Sequence, residues 1–234
     1  MLVAEKIRKI YNNIPVLELD YLEIKKGETF GLVGNNGAGK TTFFRLILDL
    51  IQAEEGKILS KETDVKQSEH WKRYTSAHID ESFLIDFLSA GEYFDFIAKL
   101  RGVEKNELNE FLSQFDDFFD GEILSNKKYI RELSKGNKQK VGIVASFIGH
   151  PEIVILDEPF ANLDPSSQFR LKNILSKFKD QHQVTLVISS HDLNHVTEVC
   201  NRIVVLDKGK KIHDIETNEN TLEKLKEHFA VIAE

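Results

Sequence analysis

The apolar positions change their spacing along the chain, and each change marks a different kind of element. Residues 2–33 carry short apolar stretches, including Val16, Leu17, Leu19, Leu22 and Ile24, separated by turn signals at Asn12-Asn13 and Lys25-Lys26-Gly27. This predicts β-structure. Phe30-Gly31-Leu32-Val33 reads as a buried strand, and the residues from Thr42 to about 51 read as a helix. Glu54-Glu55-Gly56-Lys57 predicts a turn and Ile58-Leu59 a short strand, whereas residues 60–76 are polar and show no period, with Trp71 expected to pack.

The chain then turns aromatic. Phe83, Leu84, Ile85, Phe87 and Leu88 are followed by Tyr93, Phe94, Phe96, Ile97 and Leu100. Phe111, Phe115, Phe118 and Phe119 have the spacing of one helix face. A helical insertion over about residues 83–150 is expected, its rings forming a small core and part of its apolar surface docking another protein. Ser134 can cap a helix running to about Gly149. Ile153-Val154-Ile155-Leu156 suits a central parallel strand, because such strands are buried on both faces. Asp164 as cap and Pro165 at the first helical position open a helix to about Asp180. Val184–Ser190 predicts another buried strand, and Leu193, Val196, Val199 and Cys200 a helix face. Residues 203–212 read as a hairpin about Asp207-Lys208-Gly209, and 221–231 as a closing helix with Leu222, Leu225 and Phe229 on one side.

Composition narrows the function. The 234 residues are 41% hydrophobic and 29% charged, enough for one large α/β core. The net charge of −7 argues against a general nucleic-acid binder, which usually carries a basic face. A single cysteine, Cys200, permits no disulfide within the chain and suits a reducing cytoplasm. The first residues do not read as a signal peptide, and no apolar run approaches the roughly 20 residues a spanning helix needs. Any membrane role is therefore expected to come through a partner.

The candidate chemistry centres on Gly34-Asn35-Asn36-Gly37-Ala38-Gly39-Lys40-Thr41-Thr42. Strand, glycine-rich loop and helix in that order form a phosphate cradle: glycines let backbone N–H groups approach the phosphates, and the helix contributes its positive end. Lys40 can reach the β- and γ-phosphates, and the Thr41 hydroxyl can bind Mg²⁺. Asp157 and Glu158 end the buried strand, where open α/β sheets place their ligands. Asp157 suits Mg²⁺, and Glu158 suits orienting or deprotonating a water. His191 ends the next core strand, within reach of a γ-phosphate. Ser134 and Gly136 open a helix and make a second potential anion site. Tyr11 is either a half-buried strand aromatic or a stacking platform for a nucleobase.

Taken in order, these motifs resemble the ATP-binding-cassette (ABC) ATPase family over essentially the whole chain. Gly34–Thr41 resembles its Walker A loop, Leu133-Ser134-Lys135-Gly136-Asn137 its signature, and Ile153–Glu158 its Walker B strand with the catalytic glutamate. Ala161-Asn162-Leu163-Asp164 resembles the D-loop and His191 the switch histidine, and Tyr11 falls at the adenine-stacking position. The resemblance implies an α/β fold: a P-loop NTPase core (about 1–82 and 151–234) with an N-terminal antiparallel β-subdomain and an inserted α-helical subdomain (about 83–150). It implies a Mg²⁺- and ATP-dependent hydrolase binding nucleotide through Tyr11, residues 35–42, and Ser134 and Gly136 supplied by a second cassette. A homodimer, or a heterodimer with a similar subunit, follows. The partner implied is a transmembrane permease subunit, with the chain on the cytoplasmic face of the membrane; the rival is a soluble ABC ATPase acting in assembly or regulation.

Two departures stand out. The signature has Lys135 and Asn137 where the family usually has Gly and Gln, a variant resembling export-type cassettes. The Q-loop glutamine is missing from Ala77-His78-Ile79-Asp80-Glu81, where Asp80 is the expected substitute at the metal. The docking surface is expected within Asp80–Leu100.

Overall fold

A computed structural model describes residues 1–125 and 127–232, without the side chains of His182 and residues 228–232. The first apolar stretches become a hairpin: β1 (Leu2–Tyr11) pairs antiparallel with β2 (Ile14–Ile24), Tyr11 opposite Ile14. Its two-residue turn sets Asn12 and Asn13 at φ 50° and 64°. Asparagine tolerates this left-handed region better than most side chains, so the Asn-Asn pair fixes the register. β3 (Thr29–Val33) is buried at every position and leads through the glycine loop into α1 (Lys40–Ile47).

β4 (Glu55–Ser60) pairs with β1, so the strand begins inside the stretch whose composition predicts a turn. Cross-strand pairing outweighs the weak β-propensity of Glu-Gly-Lys. The polar stretch 60–76 is likewise structured, holding β5 (Thr63–Asp64), a 3-10 turn at His70–Arg73 and the start of β6 (Thr75–His78). Trp71 is buried as expected, its indole donating to the Val65 carbonyl at 3.2 Å. The helical segment contains α2 (Ala90–Arg101), α3 (Lys105–Ser113), α4 (Asp116–Phe119) and α5 (Lys135–Ala145). Phe111 to Phe119 do not share one helix, because the chain breaks at Gln114-Phe115. All four rings are nevertheless buried in one apolar cluster: Phe115 meets Phe111 and Phe119, Phe111 and Phe115 meet Phe178, and the Lys140 ammonium lies over Phe118. Gathering them into one cluster prevails over helical continuity.

The rest alternates strand and helix: β7 (Ile153–Leu156), α6 (Pro165–His182), β8 (Thr185–Ser190), α7 (Leu193–Val199), β9 (Arg202–Asp207), β10 (Lys210–Glu216) and α8 (Thr221–Ile232). Leu225 of α8 is buried, while the Phe229 side chain lies outside the described residues. One sheet runs β5-β4-β1-β2-β10-β9-β3-β8-β7-β6. From β9 to β6 it is parallel, and the β9–β10 hairpin joins it to the antiparallel strands. β6 sits at the edge and β7 shields its inner side, which is why four residues with little apolar signal suffice there.

The parallel strands separate two cores. Val154 and Leu156 pack with the aromatic cluster, whereas Ile153 and Ile155 face the P-loop helix and the N-terminal strands. The same strand alternation sends Val205 one way and Val204 the other. Phe178 of α6 ties the helical segment to this sheet through contacts with Phe111, Phe115 and Phe147.

Candidate active site

Every motif at the C-terminal edge of the parallel strands faces one cleft. β3 delivers the glycine loop, β7 delivers Asp157 and Glu158, and β8 between them delivers Ser189, Ser190 and His191. Tyr11, Val16, Asn36, Gly37, Ala38, Gly39, Lys40, Thr41, Thr42 and Glu158 line a cleft of about 300 Å³. The loop turns through positive φ at Gly37 and Gly39, and a Cβ at Gly34 would meet the Leu206 carbonyl oxygen at 2.4 Å. Among the described residues no carbonyl accepts from the amides of Lys40, Thr41 and Thr42, the first turn of α1. Such orphan amides at a helix start form an anion cradle.

Lys40 is buried, with its ammonium donating to the carbonyls of Gly34 at 2.6 Å and Asn35 at 3.3 Å. It also lies 3.3 Å from Glu158 Oε1. That contact is an ion pair and not a hydrogen bond, for Oε1 is buried without any hydrogen-bond partner. The other oxygen, Oε2, accepts from the His191 amide at 3.2 Å and contacts its ring Nδ1 at 2.8 Å. An ionised carboxylate only accepts, so Nδ1 of His191 carries a proton and donates it to Oε2. Glu158 holds this pose with a left-handed backbone, φ 48°, which costs a non-glycine residue about 1–2 kcal/mol.

Asp157 is buried beside Thr41, whose hydroxyl donates to Oδ2 at 2.5 Å. The Ser189 hydroxyl donates to Oδ1 and accepts from the Glu158 amide at 2.9 Å. Burial raises the Asp157 pKa, against the lowering effect of the Ser189 and Thr41 bonds. A carboxylate with a raised folded pKa stabilises the fold most below its unfolded value, about 3.9, and loses that contribution as pH rises through the folded pKa. In chelator, Asp157→Asn is therefore expected to match the parent protein at pH 4 and to unfold at a higher temperature at pH 7–8, each 1 kcal/mol reading as about 2–4 °C. Thermal unfolding across that range tests it; a variant less stable at pH 8 than the parent would refute the assignment.

The remaining residues lie apart. Tyr11 is partly exposed at the cleft rim, with the Lys9 ammonium 5.0 Å from its ring centroid. Ser134 caps α5 by accepting from the Asn137 amide at 3.2 Å, and a Cβ on Gly136 would meet the Asn162 carbonyl oxygen at 2.7 Å. Neither residue lines the glycine-loop cleft of its own chain. Asp80 caps the 3-10 turn Glu81–Phe83 through Ser82, and its Oδ2 lies 3.8 Å from Arg45. Among the described residues no hydrogen bond or ion pair joins Asp80 to Thr41 or Asp157. Sequence reasoning passes over Ser189, Gln139 and His78. Ser189 carried a signal, since a buried hydroxyl in an apolar strand needs a partner. Gln139 and His78 carried none, because their contacts cross between elements.

The ABC transporter family model matches residues 18–161. The chain is 35% identical over 212 residues to the ABC transporter ATP-binding protein YhaQ of Bacillus subtilis, covering 91% of this chain and 70% of that one. It is 31% identical to the methionine import ATP-binding protein MetN 1 of Bacillus thuringiensis, covering 92% of this chain and 66% of that one. Of a Synechocystis relative it spans only 53%. A solved ATP-binding subunit of an ABC transporter, 25% identical, superposes with a TM-score of 0.86 over all of both chains. A dimeric ATP-binding cassette in a post-hydrolysis state with ADP and Pi, 22% identical, gives 0.83 over 93% of this chain and 99% of that one, a likeness of fold. The P-loop, the acids at the end of β7 and the histidine after β8 thus define a nucleotide-hydrolysing cassette. The chain belongs to the ABC transporter family, as one of its ATP-binding subunits.

Proposed function

We propose that this subunit hydrolyses ATP in a pair of cassettes, with itself or a similar partner, and drives a separate transmembrane subunit. The observation that carries the hydrolytic reading is Glu158. One carboxylate oxygen is bound to His191, and the other is buried in the cleft without a hydrogen bond. Once Lys40 turns to the phosphates, that oxygen would take the proton of an attacking water as the water bonds to the γ-phosphorus and the bond from that phosphorus to the bridging oxygen of ADP breaks. Lys40 and the first-turn amides of α1 hold the phosphates, His191 with a proton also on Nε2 donates to the γ-phosphate, and Tyr11 stacks on the base. Thr41 and Asp157 offer adjacent oxygens of the kind Mg²⁺ takes, and that ion would neutralise phosphate charge. Asp80 reaches this set only by leaving Ser82 and Arg45.

Pairing is supported by the separation of the two anion sites. Ser134 and Gly136 sit at a helix start outside the chain's own cleft, where a second cassette's nucleotide completes them. The docking reading rests on exposed rings and chains: Phe83, Phe87, Phe96 and Leu100 are 50%, 63%, 40% and 68% exposed. Exposed apolar side chains gathered in one stretch of chain are what a protein partner would cover. Arg101, at the end of the same α2, donates to the carbonyls of Lys72, Arg73 and Thr75, which lead into β6. A push on α2 therefore reaches the strand beside Asp157. No helix among the described residues is long and apolar enough to cross a membrane, so the spanning part belongs to another chain in this reading. The direction is read as export from the signature variant; relatives named for methionine import make import the rival.

Affinity purification from solubilised membranes is expected to recover the chain with a multi-spanning protein, and Phe87→Glu/Leu100→Glu to release that protein while ATPase activity stays. A stable complex containing no spanning protein would refute the transport reading.

A further inference from the structure

We propose that Gln139 and His78 are positioning residues for hydrolysis: they hold the Glu158 backbone and make its pose depend on the helix that carries Ser134 and Gly136. This rests on the reading of Glu158 as the base. Gln139 lies on α5, and its side-chain amide donates to the Glu158 carbonyl at 3.2 Å. A backbone carbonyl only accepts, so the amide nitrogen must face Glu158 and the amide oxygen must face away. That oxygen lies 3.0 Å from Nε2 of His78, the last residue of β6. His78 is therefore the donor there and carries its proton on Nε2.

The three groups are held close by packing. Gly142 of α5 lies so near the His78 ring that a Cβ there would fall 2.2 Å from it. The His78 ring thus packs directly on the backbone of α5, and Gln139 bridges that ring to the catalytic loop. Three contacts fix the Glu158 backbone: Ser189 accepts from its amide, and Gln139 and the Ala161 amide both donate to its carbonyl. A left-handed glutamate next to an aspartate needs such restraint, because its relaxed backbone would aim the carboxylate elsewhere. Of these three, the Gln139 contact is the one that comes from the helical insertion. Ser134 and Gln139 are five residues apart on one helix, about 7.5 Å along its axis. A change at the α5 start, where a second cassette's nucleotide would bind, is delivered to the glutamate serving this chain's own nucleotide.

The test uses two near-isosteric variants of the full chain, Gln139→Met and Gln139→Glu, neither of which donates when Glu is ionised. In the nucleotide-free protein, amide exchange at Glu158 and Ala161 is expected to rise by about 10-fold, the worth of one lost hydrogen bond. Turnover is expected to fall by a similar factor of about 10 with KM and equilibrium affinity for ATP unchanged. On a Glu158→Gln background, Gln139→Met should cause no further loss of turnover. Unchanged exchange in both variants, or a full additional loss on that background, overturns the proposal. If Glu158→Gln alone leaves turnover intact, the assignment of Glu158 as base fails, while the exchange measurement still decides whether Gln139 holds its backbone.

Discussion

Glu158→Gln is expected to lower ATP turnover by about 10²–10⁴-fold while ATP still binds, the range that removal of a general base produces. The amide is nearly the same size, and its oxygen can still accept from Nδ1 of His191, which now meets Oε2 at 2.8 Å. What it lacks is the buried carboxylate oxygen at the position of Oε1, which makes no hydrogen bond. The nitrogen that replaces it is a donor facing the Lys40 ammonium, so the ion pair at 3.3 Å is lost as well. Binding should survive because the phosphate amides of α1 and the Lys40 ammonium are untouched. In the paired-cassette reading, ATP then traps the closed state, and a nucleotide-dependent dimer should persist in sedimentation where the parent protein returns to monomer. Single-turnover phosphate release measures the first effect. Turnover unchanged in this variant would remove Glu158 from the chemistry.

Lys40→Met should abolish nucleotide binding at ordinary concentrations. Among the described residues its ammonium is the only side-chain cation lining the cleft, with Tyr11, Val16, the loop and Glu158 making up the rest. At ATP 100-fold above Kd, the parent protein gains about 2.7 kcal/mol, which reads as roughly 5–10 °C in unfolding temperature. The variant should lose most of that shift. It should also be less stable without nucleotide, because Glu158 Oε1 keeps its burial and loses the cation 3.3 Å away. Adding Glu158→Gln removes the uncompensated charge and should restore part of the nucleotide-free stability. A Lys40→Met protein with a full ATP-induced shift would contradict the cradle assignment.

These two residues show how unevenly the site was written in the sequence. Lys40 was legible because its neighbours in the chain are its neighbours in space: the glycines, the helix start and the lysine form one local unit. Asp157 and Glu158 were legible for a related reason, as acids following four apolar residues that only a buried strand explains. His191 was legible by the same rule after β8. Asp80 was harder, since spacing located its loop but gave no view of Arg45 and Ser82, which compete for its oxygens. The edge strand β6 was not legible, because four residues paired on one side need no apolar period. The predicted single face over Phe111–Phe119 also failed, since periodicity records which residues are buried without recording where the chain bends between them.

The sequence by itself determined the class of chemistry: a phosphate loop, a pair of strand-end acids and a histidine, in an order that fits one α/β core. Tertiary structure alone decided how they act together. It placed β8 between β3 and β7, which brings Ser189 onto Asp157 and the Glu158 amide, and His191 onto the Glu158 carboxylate. It kept Ser134 and Gly136 away from the chain's own cleft, and it joined α5 to Glu158 through Gln139. The physical reason is that hydrophobic periodicity and local motifs report each residue's immediate backbone and burial. Hydrogen bonds between strands and helices far apart in sequence depend on the order in which the sheet is assembled, and that order appears only once the chain has folded.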